Sequence, residues 1–86
     1  MKAGKFIEEY LSQCEDTVIC LHAPDNCSSS MFSIYEWHHE VIDEPNLIYE
    51  VSQITGRVEN FNKGLNVVIH IYTEHPYEET LEQALE

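Results

Sequence analysis

Histidine and cysteine, with carboxylates beside them, are the residue types in this chain whose side chains could bind a transition-metal ion. Neutral imidazole and thiolate are zinc ligands. The sequence has no HExxH, no CxxC and no two close-spaced ligand pairs, so its spacing matches no zinc motif. We therefore predict no metal ligand and no cofactor, and keep a His/Glu metal-binding protein as an alternative. The histidines concerned are His38, His39, His70 and His75.

The run HIYTEHPYEE, residues 70–79, gathers two histidines and three glutamates. A strand period of two puts His70 on the same face as Val68 and Tyr72, which predicts a half-buried sheet histidine. The HPYE part, residues 75–78, resembles a short signature of the cation-tolerance proteins. The flanking residues do not follow that family, so no ligand is carried over. A simpler local account is that Pro76 starts a helix, with glutamates near its positive end.

A cysteine nucleophile needs a neighbouring base, and the candidate pair is Cys27 with His22 five residues earlier. Cys27 lies in a serine-rich turn, and an acidic protein disfavours the thiolate that would attack a substrate. The chain is also short for a substrate pocket of ~300 Å³ or more. We predict that the protein is not an enzyme.

Carboxylates dominate the charge. Sixteen acidic residues face four basic ones, which gives a formal charge of −12. Four glutamates recur every fourth residue and would form one stripe on a closing helix: Glu74, Glu78, Glu82 and Glu86. Five further carboxylates lie in the middle segment without a base among them: Glu36, Glu40, Asp43, Glu44 and Glu50.

These two acidic groups, together with Trp37, are the predicted partner-binding residues. A line of negative charge can substitute for a phosphate backbone. In size and charge, though in no motif, the chain is similar to anti-CRISPR proteins, to DNA mimics encoded by phages and to nuclease immunity proteins. The hypothesis is a stoichiometric, non-catalytic inhibitor that covers the nucleic-acid-binding surface of a basic partner, such as a nuclease or CRISPR effector. The alternative from another class is a small self-associating structural or regulatory subunit, for example a homodimer.

The same composition predicts which surroundings suit the chain. Strong negative charge disfavours direct binding to nucleic acid and to anionic membranes. No apolar run approaches the ~18 residues of a membrane span, and no signal peptide is readable. Three cysteines without paired spacing favour reduced thiols, so we expect a cytoplasmic protein, in the host cytoplasm if a phage encodes it.

Eighty-six residues predict a single domain, 1–86, of the α+β class. We expect one small layer of about four mainly antiparallel strands with an N-terminal and a C-terminal helix, in the order αββββα. The alternative order is αββαβα, because residues 47–61 fit both a strand and a helical period. Strand is favoured there, with Gly56 as a bulge or break. The remaining expectations are a helix at 2–13, strands at 16–22, 31–40 and 65–73, a turn at 62–64 and a helix at 75–86.

Overall fold

The structure is a computed structural model that describes residues 1–25, 28–61 and 63–75. Its strands are β1 (Val18–His22), β2 (Ser29–Ser33), β3 (Glu50–Phe61) and β4 (Gly64–Glu74). Helix α1 (Ala3–Phe6) continues directly into a π-helical turn at Ile7–Leu11. Helix α2 spans Ile34–His39, and a 3₁₀ turn covers Pro45–Ile48.

The strands form one mixed sheet in the order β2-β1-β4-β3. The two outer pairings, β1 with β2 and β3 with β4, are antiparallel, whereas the central pairing of β1 with β4 is parallel. A parallel pair needs a long crossover, and here the chain supplies it through β2, α2 and β3. The predicted α+β class with four mainly antiparallel strands is confirmed, although the helices are placed differently.

Strands β3 and β4 form a long hairpin. The preference for strand over helix in residues 47–61 is confirmed from Glu50 onward, whereas Pro45–Ile48 form a helical turn instead. Phe61 pairs with Gly64, so the strands are joined by the short turn that the sequence predicted. Lys63 in this turn has a positive φ of 65°, a conformation that hairpin turns of this length require.

The expected irregularity at Gly56 is wrong. Gly56 pairs regularly with Ile69, and the bulge lies at Ser52, between Val51 and Gln53. A β-carbon added at Gly56 would lie 3.4 Å from Cδ1 of Ile69. This is an ordinary contact distance, so Gly56 lies within a regular part of the strand and marks no break in it.

Alternation along the strands separates a core-forming side of the sheet, here called the helix face. Ile19, Leu21 and Ile71 point to this side and are fully buried. Helical residues pack against them, namely Ala3, Ile7 and Ile34, together with Phe32 of β2. Burying one such aliphatic side chain contributes about 1.5–3 kcal/mol, so this layer is the main source of stability.

Helix α2 replaces the second half of the strand expected at 31–40. The strand ends at Ser33, whose side chain accepts a hydrogen bond from the backbone N–H of Glu36 at 3.1 Å. The hydroxyl of Ser33 donates to the Glu36 carboxylate at 3.4 Å. This close relative of a capping box stabilises the first turn of a helix, and Trp37 packs from it onto the core.

The N-terminus is tied to the start of β3. The Met1 ammonium lies 2.7 Å from the Glu50 carboxylate, and the amide of Ala3 donates to the Tyr49 carbonyl at 2.8 Å. Glu74 is the last residue of β4 and not part of a closing helix as expected. The rest of the predicted closing helix, residues 76–86, lies outside the described residues. None of the helices that are described is long and apolar enough to cross a membrane.

Candidate metal centre

The side of the sheet opposite the helix face carries a cluster of chemically capable side chains, and we call it the histidine face. Cys20 and His22 are two residues apart on β1, so they point to the same side. His70 on β4 is the register partner of Cys20, and Tyr72 is the partner of His22. The parallel pairing of β1 with β4 therefore brings a thiol and two imidazoles together across neighbouring strands.

Cys20, His22 and His70 each offer one ligand atom, the thiol sulfur or a ring nitrogen, and these three atoms all lie within 4.8 Å of one another. The thiol sulfur is 3.5 Å from Nε2 of His22, which in turn is 2.9 Å from Nδ1 of His70. Cys20 is 5% exposed and His70 is 6% exposed, so both are shielded from water. Among the described residues this is the one such group of three.

These separations are close to the edge lengths of a tetrahedral zinc site. Zn–S bonds of about 2.3 Å and Zn–N bonds of about 2.0–2.1 Å imply S···N edges of roughly 3.6 Å and N···N edges of roughly 3.3 Å. The observed S···N distance of 3.5 Å already matches. The two imidazole nitrogens, now hydrogen-bonded at 2.9 Å, would separate by roughly half an ångström on metal binding.

Glu59 of β3 contacts His70 from the side opposite the cluster. Its carboxylate accepts a hydrogen bond from Nε2 of His70. An ionised carboxylate has no proton to donate, so in the neutral ring the proton is on Nε2 and the lone pair is on Nδ1. That lone pair points toward His22, whose Nε2–H can donate to it. To ligate through the same nitrogen, His22 would adopt its other neutral tautomer, in which the ring proton is on Nδ1 and the lone pair is on Nε2.

The ionisable groups of the cluster respond to these surroundings. Burial raises the pKa of the Cys20 thiol, and the Glu59 charge acts in the same direction. Burial also lowers the pKa of His22, and electrostatic repulsion from His70, when that ring is protonated, and from Arg57 acts in the same direction. The hydrogen bond from His70 lowers the pKa of Glu59. A neutral His22 and an ionised Glu59 follow near neutral pH, and both states suit a metal centre.

Neighbouring residues hold His22 in position. The Tyr72 ring stacks on the His22 ring with centroids 4.2 Å apart and planes 8° from parallel. The hydroxyl of Thr73 donates to the backbone carbonyl of His22 at 2.6 Å. The ring plane and the backbone of this ligand are thus both constrained from β4.

A cavity of about 380 Å³ lies along the histidine face toward the Val18 end of β1. Its lining includes Val18 and Phe61 as well as the carboxylates of Glu15 and Asp16. None of the cluster residues lines this cavity. The cluster is therefore a separate, compact group of side chains from two neighbouring strands.

The predicted partner-binding carboxylates of the middle segment lie mostly outside strands, because the chain is helical after Ser33. Only Glu50 lies on a strand. Glu36 is in α2, Glu40 follows it, and Asp43 and Glu44 precede the 3₁₀ turn. Several of these carboxylates have partners within the chain: Glu36 with Ser33, Glu44 with the amide of Asn46, and Glu50 with the N-terminus.

The remaining predicted contact residues divide into three cases. Glu40, Asp43 and Glu74 are exposed. Trp37 is half-buried, stacks on Phe32 and donates its indole N–H to Glu8 at 2.7 Å, so it contributes to packing. The other residues of the predicted stripe lie outside the described part of the chain: Glu78, Glu82 and Glu86.

Of the four histidines considered in the sequence, only His70 belongs to the cluster, and the other three have different neighbours. The ring of His38 contacts the Ser12 carbonyl, and His39 packs on Tyr35 with ring centroids 4.3 Å apart. His75 meets Tyr49 edge-on. His70 is a sheet histidine on the same face as Tyr72, as predicted, but at 6% exposure it is buried and not half-buried as expected. The sequence did not indicate Cys20 or Glu59 as site residues, and it indicated His22 only as a base beside Cys27, which lies outside the described residues.

Comparison of the chain with protein-family models, with curated proteins and with solved structures found no match.

Proposed function

We propose that the protein binds a transition-metal ion through Cys20, His22 and His70, and that zinc is the preferred metal. The observation that carries the proposal is the convergence of one sulfur and two imidazole nitrogens within 4.8 Å at a shielded position. Thiolate and imidazole favour zinc and other borderline or soft metals, whereas calcium and magnesium prefer oxygen ligands.

A metal at this place would join the two central strands. Cys20 and His22 belong to β1 and His70 belongs to β4, and these strands are far apart in sequence. Because the unfolded chain does not present the three ligands together, the free energy of metal binding would add to the stability of the fold. For a chain of 86 residues, whose core is small, such a cross-link would be a large contribution.

The test is zinc uptake by the reduced protein, measured by competition with a chromophoric chelator and by the shift in melting temperature. We expect one zinc ion per chain and a rise in melting temperature. Cys20→Ser and His70→Gln should each reduce zinc affinity by at least about tenfold, because each removes one ligand. The matched controls are Cys14→Ser and His39→Gln, which change exposed residues outside the cluster. Uptake that depends equally on Cys14 and Cys20 would contradict the proposal.

An acidic inhibitor of a basic nucleic-acid-binding protein remains a second proposal. The exposure of Glu40 and Asp43 on the segment after α2 supports it, as does the net charge of −12. The free thiols of Cys14 and Cys20 fit the reducing cytoplasm in which such an inhibitor would act.

The inhibitor proposal is tested by affinity capture from a nuclease-treated lysate, followed by competition with DNA. The proposal requires capture of a basic partner, and DNA must displace that partner. The double variant Glu40→Lys, Asp43→Lys must remain folded and must fail to capture it. Capture that is indifferent to DNA and to the charge reversal would refute it.

A further inference from the structure

We infer that Glu59 is a positioning residue of the metal centre, which holds the His70 ring so that Nδ1 faces the metal and strengthens that nitrogen as a ligand. The inference rests on the proposed function. Its basis is the contact between the Glu59 carboxylate and Nε2 of His70, on the ring edge away from Cys20 and His22. Metal-binding histidines commonly donate their second ring N–H to a carboxylate in this way.

The contact is not a consequence of strand register. Glu59 pairs with Asn66 on the hairpin, and His70 stands four residues further along β4, where its own partner is Thr55. A separation of four strand residues is about 13 Å, so the two side chains must extend toward each other along the sheet. A residue shorter than glutamate at position 59 would not reach His70.

The surroundings of Glu59 favour this role over a simple surface ion pair. Its carboxylate is closer to the shielded His70 ring than to Arg57, whose Nε is 3.9 Å away and whose side chain is mostly exposed. An exposed pair of that kind contributes little to stability. The contact with His70 is therefore the main specific interaction that the structure gives this carboxylate.

The contact also separates the roles of the two ring nitrogens. With the Nε2 proton engaged by Glu59, the metal-binding tautomer of His70 is already present before the metal arrives. Loss of Glu59 would release the ring to rotate and to exchange tautomers. Metal binding would then have to select one ring state among several, and its affinity would fall.

The experiment measures zinc affinity of the full chain by chelator competition for Glu59→Gln, Glu59→Ala and Glu59→Asp. We expect a loss of about tenfold for Gln, which keeps the length but not the charge, and up to about 100-fold for Ala and Asp. Glu40→Gln is the matched control, because it removes the same charge from an exposed position remote in sequence from the ligands.

A nitrogen NMR spectrum of the zinc-loaded protein supplies a readout that general stability would not change. His70 should show a protonated Nε2 and a metal-bound Nδ1 in the parent protein, and the Nε2 proton should exchange faster with water in Glu59→Ala. Zinc affinities of the folded Glu59 variants within twofold of the parent would overturn the role of Glu59 alone. Absence of zinc binding by the parent protein would overturn the metal centre itself.

Discussion

The Cys20 thiol is in an environment that suits metal binding better than nucleophilic attack. Burial raises its pKa, so the metal-free protein holds a protonated thiol near neutral pH. A nucleophile must be a thiolate, which usually needs a lowered pKa and some exposure. A zinc ion displaces the thiol proton directly, so affinity for zinc should decrease as the pH falls.

The raised pKa of Cys20 predicts how the stability of the metal-free protein depends on alkaline pH. Because the thiol ionises more readily in the unfolded chain, its contribution is fully present below the ordinary value near 9 and is lost as pH rises through the folded value. The free energy of unfolding, measured with urea and a metal chelator, should fall more steeply above pH 9 in the parent than in Cys20→Ser. A Cys14→Ser variant should keep the steep fall. Identical slopes for the parent and Cys20→Ser would refute this prediction.

At the residue scale, only part of the candidate site could be read from the sequence. A strand period of two places His70 on the same face as Tyr72, and the same alternation puts Cys20 opposite Ile19 and Leu21. Nothing local indicates that β1 and β4 are neighbours, because the pairing joins residues about 50 positions apart. The Glu59 contact is harder still, since it crosses four register positions of the hairpin.

At the scale of elements, the sequence of helix α2 carries two conflicting local signals, one for a strand and one for a helix start. The residues MFSIYEWHHE alternate well enough for a strand, and β-branched and aromatic types favour that assignment. The sequence Ser33-Ile34-Tyr35-Glu36 also fits the pattern of a capping box, which marks a helix start. The structure follows the second signal, because the cap and the packing of Trp37 outweigh strand propensity.

The cap of α2 gives a prediction for stability. Ser33→Ala should lower the free energy of unfolding by about 1 kcal/mol, because the amide of Glu36 loses its side-chain acceptor. Urea denaturation measures the change, and the exposed Ser28→Ala is the control. Zinc affinity should remain within twofold of the parent, since Ser33 contacts none of the three ligands. A loss below about 0.3 kcal/mol would show that the cap does not stabilise α2.

At the scale of the whole molecule, the net charge of −12 is read directly from the sequence, and it predicts a surface with unpaired carboxylates. The described ion pairs engage Glu9, Glu50 and Glu59, while many other carboxylates face solvent. The strand assignment of residues 50–61 followed from residue types, because the period there fits both a strand and a helix, and the α+β class followed from the order of the predicted elements. The order of strands did not, because sheet order depends on contacts between distant segments.

The uncompensated charge predicts that salt stabilises the metal-free protein. Between about 10 mM and 150 mM sodium chloride the Debye length falls from about 30 Å to about 8 Å, which weakens repulsion between carboxylates. The melting temperature should rise over this range in the presence of a chelator. The rise should be smaller in Glu40→Lys, Asp43→Lys, whose net charge is less negative. A flat or falling melting temperature would show that the charges are already compensated.

The most direct measurement on the metal centre is X-ray absorption at the zinc edge of protein loaded with one equivalent of zinc. The proposed ligands predict one sulfur at about 2.3 Å and imidazole nitrogens at about 2.0–2.1 Å. The sulfur shell should disappear in Cys20→Ser and persist in Cys14→Ser. A shell of oxygen and nitrogen alone in the parent protein, or a sulfur shell that survives Cys20→Ser, would contradict a metal centre at Cys20, His22 and His70.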